Sequence, residues 1–88
     1  MHDPYHTLTD LPSIGPAMEA DLHLLGVRSV RALARRSPER LYDDLCARTG
    51  ARHDPCVLYS FRCAVYAART PNPSPHLLKW WTWKDRAL

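Results

Sequence analysis

The sequence predicts an all-α protein of five or six helices, on three observations. Capping residues stand ahead of apolar stripes of helical period at Thr7, Ser29, Ser37, Asp54 and Ser74. Pro16, Pro38, Pro55 and Pro75 occupy first helical positions, where the missing N–H costs nothing. No alternating apolar–polar run lies between hairpin-type turns, so no strand is expected.

Taken in order, Thr7 and Asp10 form a T-x-x-D box for a one-turn helix ending near Leu11. Pro12 and Gly15-Pro16 then force a tight turn. The next helix is predicted over 16–25, with Met18, Leu22 and Leu25 inward and Gly26 ending it. A short helix follows over 30–36, burying Val30, Leu33 and Ala34. Ser37-Pro38 opens a helix to Thr49, closed by Gly50, with Leu41, Leu45 and either Tyr42 or Cys46 buried. Asp54-Pro55 opens the longest, 55–69, whose inward face is Val57 or Leu58, Phe61, Val65 and Ala68.

Residues 1–88 read as a single domain. Within it, 70–88 is a proline connector and a Trp-rich segment packed on the body. Its last helix is expected from Pro75 to about Trp81, with Trp80, Trp81 and Trp83 as a lid. Leu11-x-x-Ile14-Gly15 is faintly echoed by Cys46-x-x-Thr49-Gly50, each ahead of a helix.

An apolar fraction of 45% with 24% charged residues excludes a disordered chain. No apolar run is long enough for a membrane span. The start Met1-His2-Asp3-Pro4 has neither the basic nor the apolar part of a signal peptide, so a cytoplasmic location is expected. Cys46, Cys56 and Cys63 are odd in number, which argues for reduced, largely buried thiols.

The net charge of +3 is unevenly spread. Residues 1–27 carry Asp3, Asp10, Glu19 and Asp21 and no Lys or Arg. Arg28, Arg31, Arg35, Arg36, Arg40, Arg48, Arg52, Arg62 and Arg69 follow. A basic face of this kind can meet phosphates. It can equally be a solvated surface from a genome that favours Arg over Lys.

The turn before Pro16 supplies a second anion feature. A helix N-terminus leaves backbone N–H groups unpaired and carries the positive end of the helix dipole. Gly15 admits a phosphate oxygen, and the N–H groups of Gly15, Ala17 and Met18 are the candidate donors. The alternative is a purely structural corner. Metal and catalytic signals are weak. His53-x-x-Cys56 with Cys63 falls short of the four ligands of a structural zinc site. Cys46 has no visible orienting partner, and Asp43, Asp44 and Glu39 share one helix. The sequence therefore predicts a protein that is not an enzyme and holds no metal through side chains.

Leu11-Pro12-Ser13-Ile14-Gly15-Pro16-Ala17-Met18-Glu19-Ala20-Asp21-Leu22 resembles a helix-hairpin-helix motif of DNA repair glycosylases, polymerases and ligases. A longer pattern runs through Gly26-Val27-Arg28-Ser29-Val30, Leu41-Tyr42, Thr49 to Val57, Ala67 to Pro71 and Leu77 to Lys84. The whole resembles the small bacterial "pathogenicity locus" family of helix-hairpin-helix proteins, some labelled mitomycin resistance proteins. That resemblance implies a compact helix-hairpin-helix, or SAM-like, domain. It implies contact between the hairpin backbone, at Ser13, Ile14, Gly15, Ala17 and Met18, and one DNA strand. It also implies a potassium or sodium ion on the carbonyls of Thr9, Leu11 and Ile14. Ser13 stands where a first hairpin glycine is usual, Ala17 where Lys is frequent, and Glu19 where a small residue is usual.

Two functions follow as expectations. The first is sequence-nonspecific DNA binding through the hairpin, with Arg28, Arg31 and Arg35 supplying attraction. The second is a protein-interaction or adaptor module that kept the fold and lost DNA. Its partner would meet the aromatic C-terminal segment with Tyr59 and Tyr66.

Overall fold

Among the described residues, three of four α-helices begin at a capping side chain, and the other begins at Gly15-Pro16 without one. The computed structural model describes residues 5–88. It assigns α1 to Pro16–Leu24, α2 to Val30–Ala34, α3 to Pro38–Thr49 and α4 to Pro55–Arg69. Turns of 3₁₀ helix occupy Leu8–Asp10, Pro75–Leu78 and Trp80–Trp83. Among the described residues there is no strand, and no helix is long and apolar enough to cross a membrane.

The caps are visible as hydrogen bonds. Ser29 Oγ accepts from Ala32 N at 3.1 Å. Ser37 Oγ accepts from Arg40 N at 3.4 Å, and Asp54 Oδ1 accepts from Cys56 N at 2.8 Å. Asp10 closes the first 3₁₀ turn by accepting from Thr7 N at 3.0 Å and His6 N at 3.1 Å. These two N–H donors hold the Asp10 carboxyl below its ordinary range. Helix α1 ends in a Schellman arrangement: Val27 N donates to Leu22 O at 2.8 Å while Gly26 takes a φ of 82°.

One core joins all of this. Leu8, Leu11 and Ile14 enter from the N-terminal turn, Leu22, Leu25 and Val27 from around α1, and Val30 and Leu33 from α2. Leu41, Tyr42 and Leu45 come from α3, and Phe61, Ala64, Val65 and Ala67 from α4. Tyr42 and not Cys46 completes the buried stripe of α3, and Cys46 is only partly buried. Helix α4 is buried more widely than a single stripe, since Ser60, Cys63, Ala64 and Ala67 are covered as well. It packs against α2, α3 and both C-terminal turns.

Two expectations need correction. The C-terminal segment does not form one helix from Pro75 to Trp81. Lys79 adopts φ −103° and ψ 120°, an extended conformation that splits it into two 3₁₀ turns. Among the described residues the count of α-helices is therefore four, with the first and last predicted helices realised as 3₁₀ turns. The lid is chiefly Trp83, which is 2% exposed, whereas Trp80 is half-buried and Trp81 is 57% exposed. Trp83 is held by its indole N–H to Leu77 O at 2.9 Å and by Tyr66, whose ring centroid lies 5.3 Å away. Arg62 binds Trp83 O at 3.0 Å and Glu39 at 2.8 Å, so one side chain joins α3, α4 and the last turn.

The cysteines also differ from expectation. All three are free thiols, but Cys63 is buried, Cys46 intermediate and Cys56 exposed. Position 56 lies in the first turn of α4, before the helix enters the core. Burial pushes the Cys63 thiol up to about 11.

Candidate functional site

The segment before α1 is a β-turn over Leu11, Pro12, Ser13 and Ile14, closed by Ile14 N donating to Leu11 O at 3.3 Å. Pro12 occupies the position that favours its fixed φ. Ser13 follows with φ 69°, the only non-glycine residue with positive φ among the described residues. Left-handed backbone at the third turn position defines a type II turn and ordinarily calls for glycine or asparagine. Ser13 is retained by its side chain: Oγ donates to Ser60 O, on α4, at 3.1 Å. The turn is thus pinned to the central helix by one serine and by the buried side chains of Leu11 and Ile14.

Gly15 is the N-cap residue of α1, with φ −97° and ψ −179°, and no side chain caps the helix. The first intrahelical bond runs from Glu19 N to Gly15 O at 2.9 Å. Pro16 has no N–H. The N–H groups of Gly15, Ala17 and Met18 therefore have no hydrogen-bond partner among the described residues. A Cβ added at Gly15 would meet nothing within 4 Å. Gly15 and Ala17 are exposed, and Met18 is partly packed on the core. Glu19, half-buried in the first turn of α1, sits in the favourable field of the helix dipole and brings negative charge to it.

Ser13, Gly15, Ala17 and Met18 are thus brought together at the start of α1, whereas the Ile14 side chain is buried in the core beneath them. The three arginines of the sequence reading are not part of this group. Arg28, Arg31 and Arg35 are exposed, without ion-pair partners among the described residues, around α2. Arg28 follows the end of α1, Arg31 lies on α2 and Arg35 caps its C-terminus.

The echo between Gly15 and Gly50 does not hold in backbone terms. Gly50 is left-handed, with φ 69°, and ends α3, whereas Gly15 is extended and starts α1. The conformational counterpart of Gly50 is Ser13.

Among the described residues no three His, Cys, Asp or Glu side chains are grouped as metal ligands. His53 is engaged structurally. Its Nε2 meets Thr49 Oγ1 at 2.8 Å, and its carbonyl accepts from Tyr42 OH. The aromatic surface is smaller than expected. Tyr66 packs against Trp83 with the rings tilted by 48°, and its OH accepts from Ser74 N. Tyr59 is half-buried beside Arg62, leaving Trp81 as the exposed ring.

Sequence reasoning missed the left-handed Ser13 and the grouping of Arg35, Arg36 and Arg69 around one cleft. The Pro12-Ser13 pair carried a signal for the first, since proline at the second turn position admits a type II turn. The second had none, because Arg35 and Arg69 lie on different helices.

Comparison with known proteins places this geometry in a family. No solved structure matches the chain. It is similar to the mitomycin resistance protein McrB of Streptomyces lavendulae, with 31% identity over 74 residues, covering 84% of this chain and 67% of that protein. The family model for Cdd1, described as pathogenicity locus, matches residues 2–87. With that model spanning nearly the whole sequence, including the turn before α1 and the tryptophan segment, the chain belongs to the pathogenicity locus family.

Proposed function

We propose that this chain is a helix-hairpin-helix module that binds the DNA phosphate backbone without reading base sequence. The observation that carries this is the start of α1. Three N–H groups there lack a partner among the described residues, at the positive end of a helix dipole and beside an unobstructed glycine. Backbone N–H groups meeting phosphates carry no base information. Arg28, Arg31 and Arg35, exposed and without ion-pair partners among the described residues, add longer-range attraction. A potassium or sodium ion would rest on the carbonyls of Thr9, Leu11 and Ile14. That of Leu11 already accepts from Ile14 N and would lend its second lone pair.

Titration of a short duplex at two salt concentrations tests the reading. Each neutralised phosphate contributes roughly 0.9 to the log–log salt slope, so the turn with one or two arginines gives a slope of about two to three. Glu19→Ala should strengthen binding, most at low salt, where screening is weakest. Absence of binding by both proteins at low salt, with both folded, overturns the proposal. The exposed Trp81, edge-on to Trp80 at 5.8 Å, would then favour the second reading, a protein partner at the C-terminal turns.

A further inference from the structure

Where α2 ends, α3 begins and α4 ends, the surface opens into a cleft of about 410 Å³. This lies within the roughly 300–1,000 Å³ of small-molecule sites. Its wall carries Arg35 at the end of α2, Arg36 beside it, and Arg69 at the end of α4. Arg36 is partly committed, reaching Leu25 O at 3.5 Å and Asp44 at 3.9 Å. Glu39, the one acidic side chain on the wall, is held by Arg62 at 2.8 Å. Arg35 and Arg69 have no partner among the described residues. The cleft wall thus carries two arginines without ion-pair partners among the described residues, one capping the end of α2 and one ending α4.

We propose that this cleft binds a phosphomonoester: the phosphate of a free mononucleotide or the terminal phosphate of a nucleic acid. A phosphomonoester carries about −1.5 to −2 charges at pH 7, which matches two unpaired guanidiniums. An internal phosphodiester carries one. Guanidinium forks bind phosphate oxygens in pairs, so two of them arriving from different helices fix a tetrahedral group in orientation as well as charge. Ala34, Ser37, Pro38 and Leu88 complete the wall, and the exposed Leu88 offers apolar surface to the organic part of the ligand. This site uses no residue of the turn before α1 and shares Arg35 alone with the proposed DNA surface.

Calorimetric titration of the full chain with adenosine 5′-monophosphate, against adenosine and inorganic phosphate, tests it. The monophosphate should bind and adenosine should not. Arg69→Gln should weaken monophosphate binding by about tenfold, the scale of one lost charge-assisted contact. Internal-duplex affinity, measured without terminal phosphates, should be unchanged by it. Acidification from about pH 7.5 to about pH 5 should weaken binding as the phosphate loses its second charge. Arg35→Gln gives an independent second variant if Arg69→Gln fails to fold. A 5′-phosphate that adds affinity to a short single strand, and loses it in Arg69→Gln, identifies a nucleic-acid end as the source. Binding of the monophosphate without that gain identifies a free nucleotide. Equal binding of adenosine and its monophosphate, or monophosphate binding unaltered in a folded variant, overturns the proposal. Loss of duplex binding in Gly15→Val with monophosphate binding intact separates this site from the first.

Discussion

Helices α1 and α4 both begin on a proline, a few residues after a turn with left-handed backbone, yet their N-termini are electrostatically unlike. At α4 the chain provides its own anion: Asp54 Oδ1 accepts from Cys56 N at 2.8 Å. That N–H bond holds the Asp54 carboxyl below its ordinary range. At α1 the same position is Gly15, which has no side chain, and the donors of the first turn stay unpaired within the described residues. An external anion at α4 would compete with a resident carboxylate. At α1 it would compete only with Glu19, further along the first turn. The difference of one residue, glycine against aspartate, decides which helix start is available to a ligand.

The strongest way to break this comparison is to make α1 resemble α4. Gly15→Asp places a carboxylate where the proposed phosphate sits. The backbone is extended there and a Cβ meets nothing within 4 Å, so the substitution fits without repacking. Its effect on stability should be a gain of only a few tenths of a kcal/mol, the usual difference between aspartate and glycine at an N-cap. Its effect on duplex binding should be a loss of about tenfold or more, because charge-assisted contacts are replaced by repulsion. Denaturation curves and duplex titration at low salt measure the two together. Undiminished DNA binding by a folded Gly15→Asp protein would show that the start of α1 is not the contact.

Why one helix start was read from the sequence more completely than the other is a matter of local chemistry. Asp54-Pro55, Ser37-Pro38 and Ser29 are local signals, and the helices begin where they stand. The length of α4 was legible too, since its apolar residues recur across the whole segment. The C-terminal turns were not, because the extended Lys79 follows from how Trp83 docks against Tyr66 and Leu77, which are contacts made in tertiary structure. The site was legible in part. Gly15 as an open helix start could be read from the residues around it. The left-handed Ser13 is stabilised by a bond to Ser60 O, 47 residues away, and no local pattern announces that partner. The exposure of Cys56 likewise depends on where α4 enters the core.

The reverse change strips α4 of its anion. Asp54→Ala removes the cap and should lower the unfolding midpoint on the order of 5 °C, with duplex binding unaltered. The pH dependence supplies a sharper reading. The folded-state pKa of Asp54 lies below its reference of 3.8, so its stabilisation is complete above that value. It is lost as pH falls through the lower, folded value. Asp10 behaves in the same sense. Thermal melts of wild type and Asp54→Ala should therefore differ most near neutrality and converge in strong acid. A constant gap across that range would mean that the aspartate acts by packing and not as a charged acceptor.

The smallest net effect is expected for Ser13→Gly, where two terms oppose each other. Left-handed backbone costs a non-glycine residue roughly 1–2 kcal/mol, and Ser13 sustains it at φ 69°. Its hydroxyl bond to Ser60 O returns about 0.5–1.5 kcal/mol. Ser13→Ala keeps the backbone cost and loses the bond, so it should destabilise by about 1 kcal/mol. Ser13→Gly loses the bond as well but relieves the backbone. Against that relief stands the greater freedom of glycine in the unfolded chain, about 0.4–1 kcal/mol. The net change for Ser13→Gly should fall within about 1 kcal/mol of zero, and the glycine variant should be the more stable of the two. Chemical denaturation of both variants orders them. An alanine variant as stable as the glycine one would mean that the turn has moved out of the left-handed region. Duplex binding is then the second readout. If the turn serves only to aim the N–H groups of Gly15, Ala17 and Met18, the glycine variant, which keeps the type II geometry, should bind as wild type does.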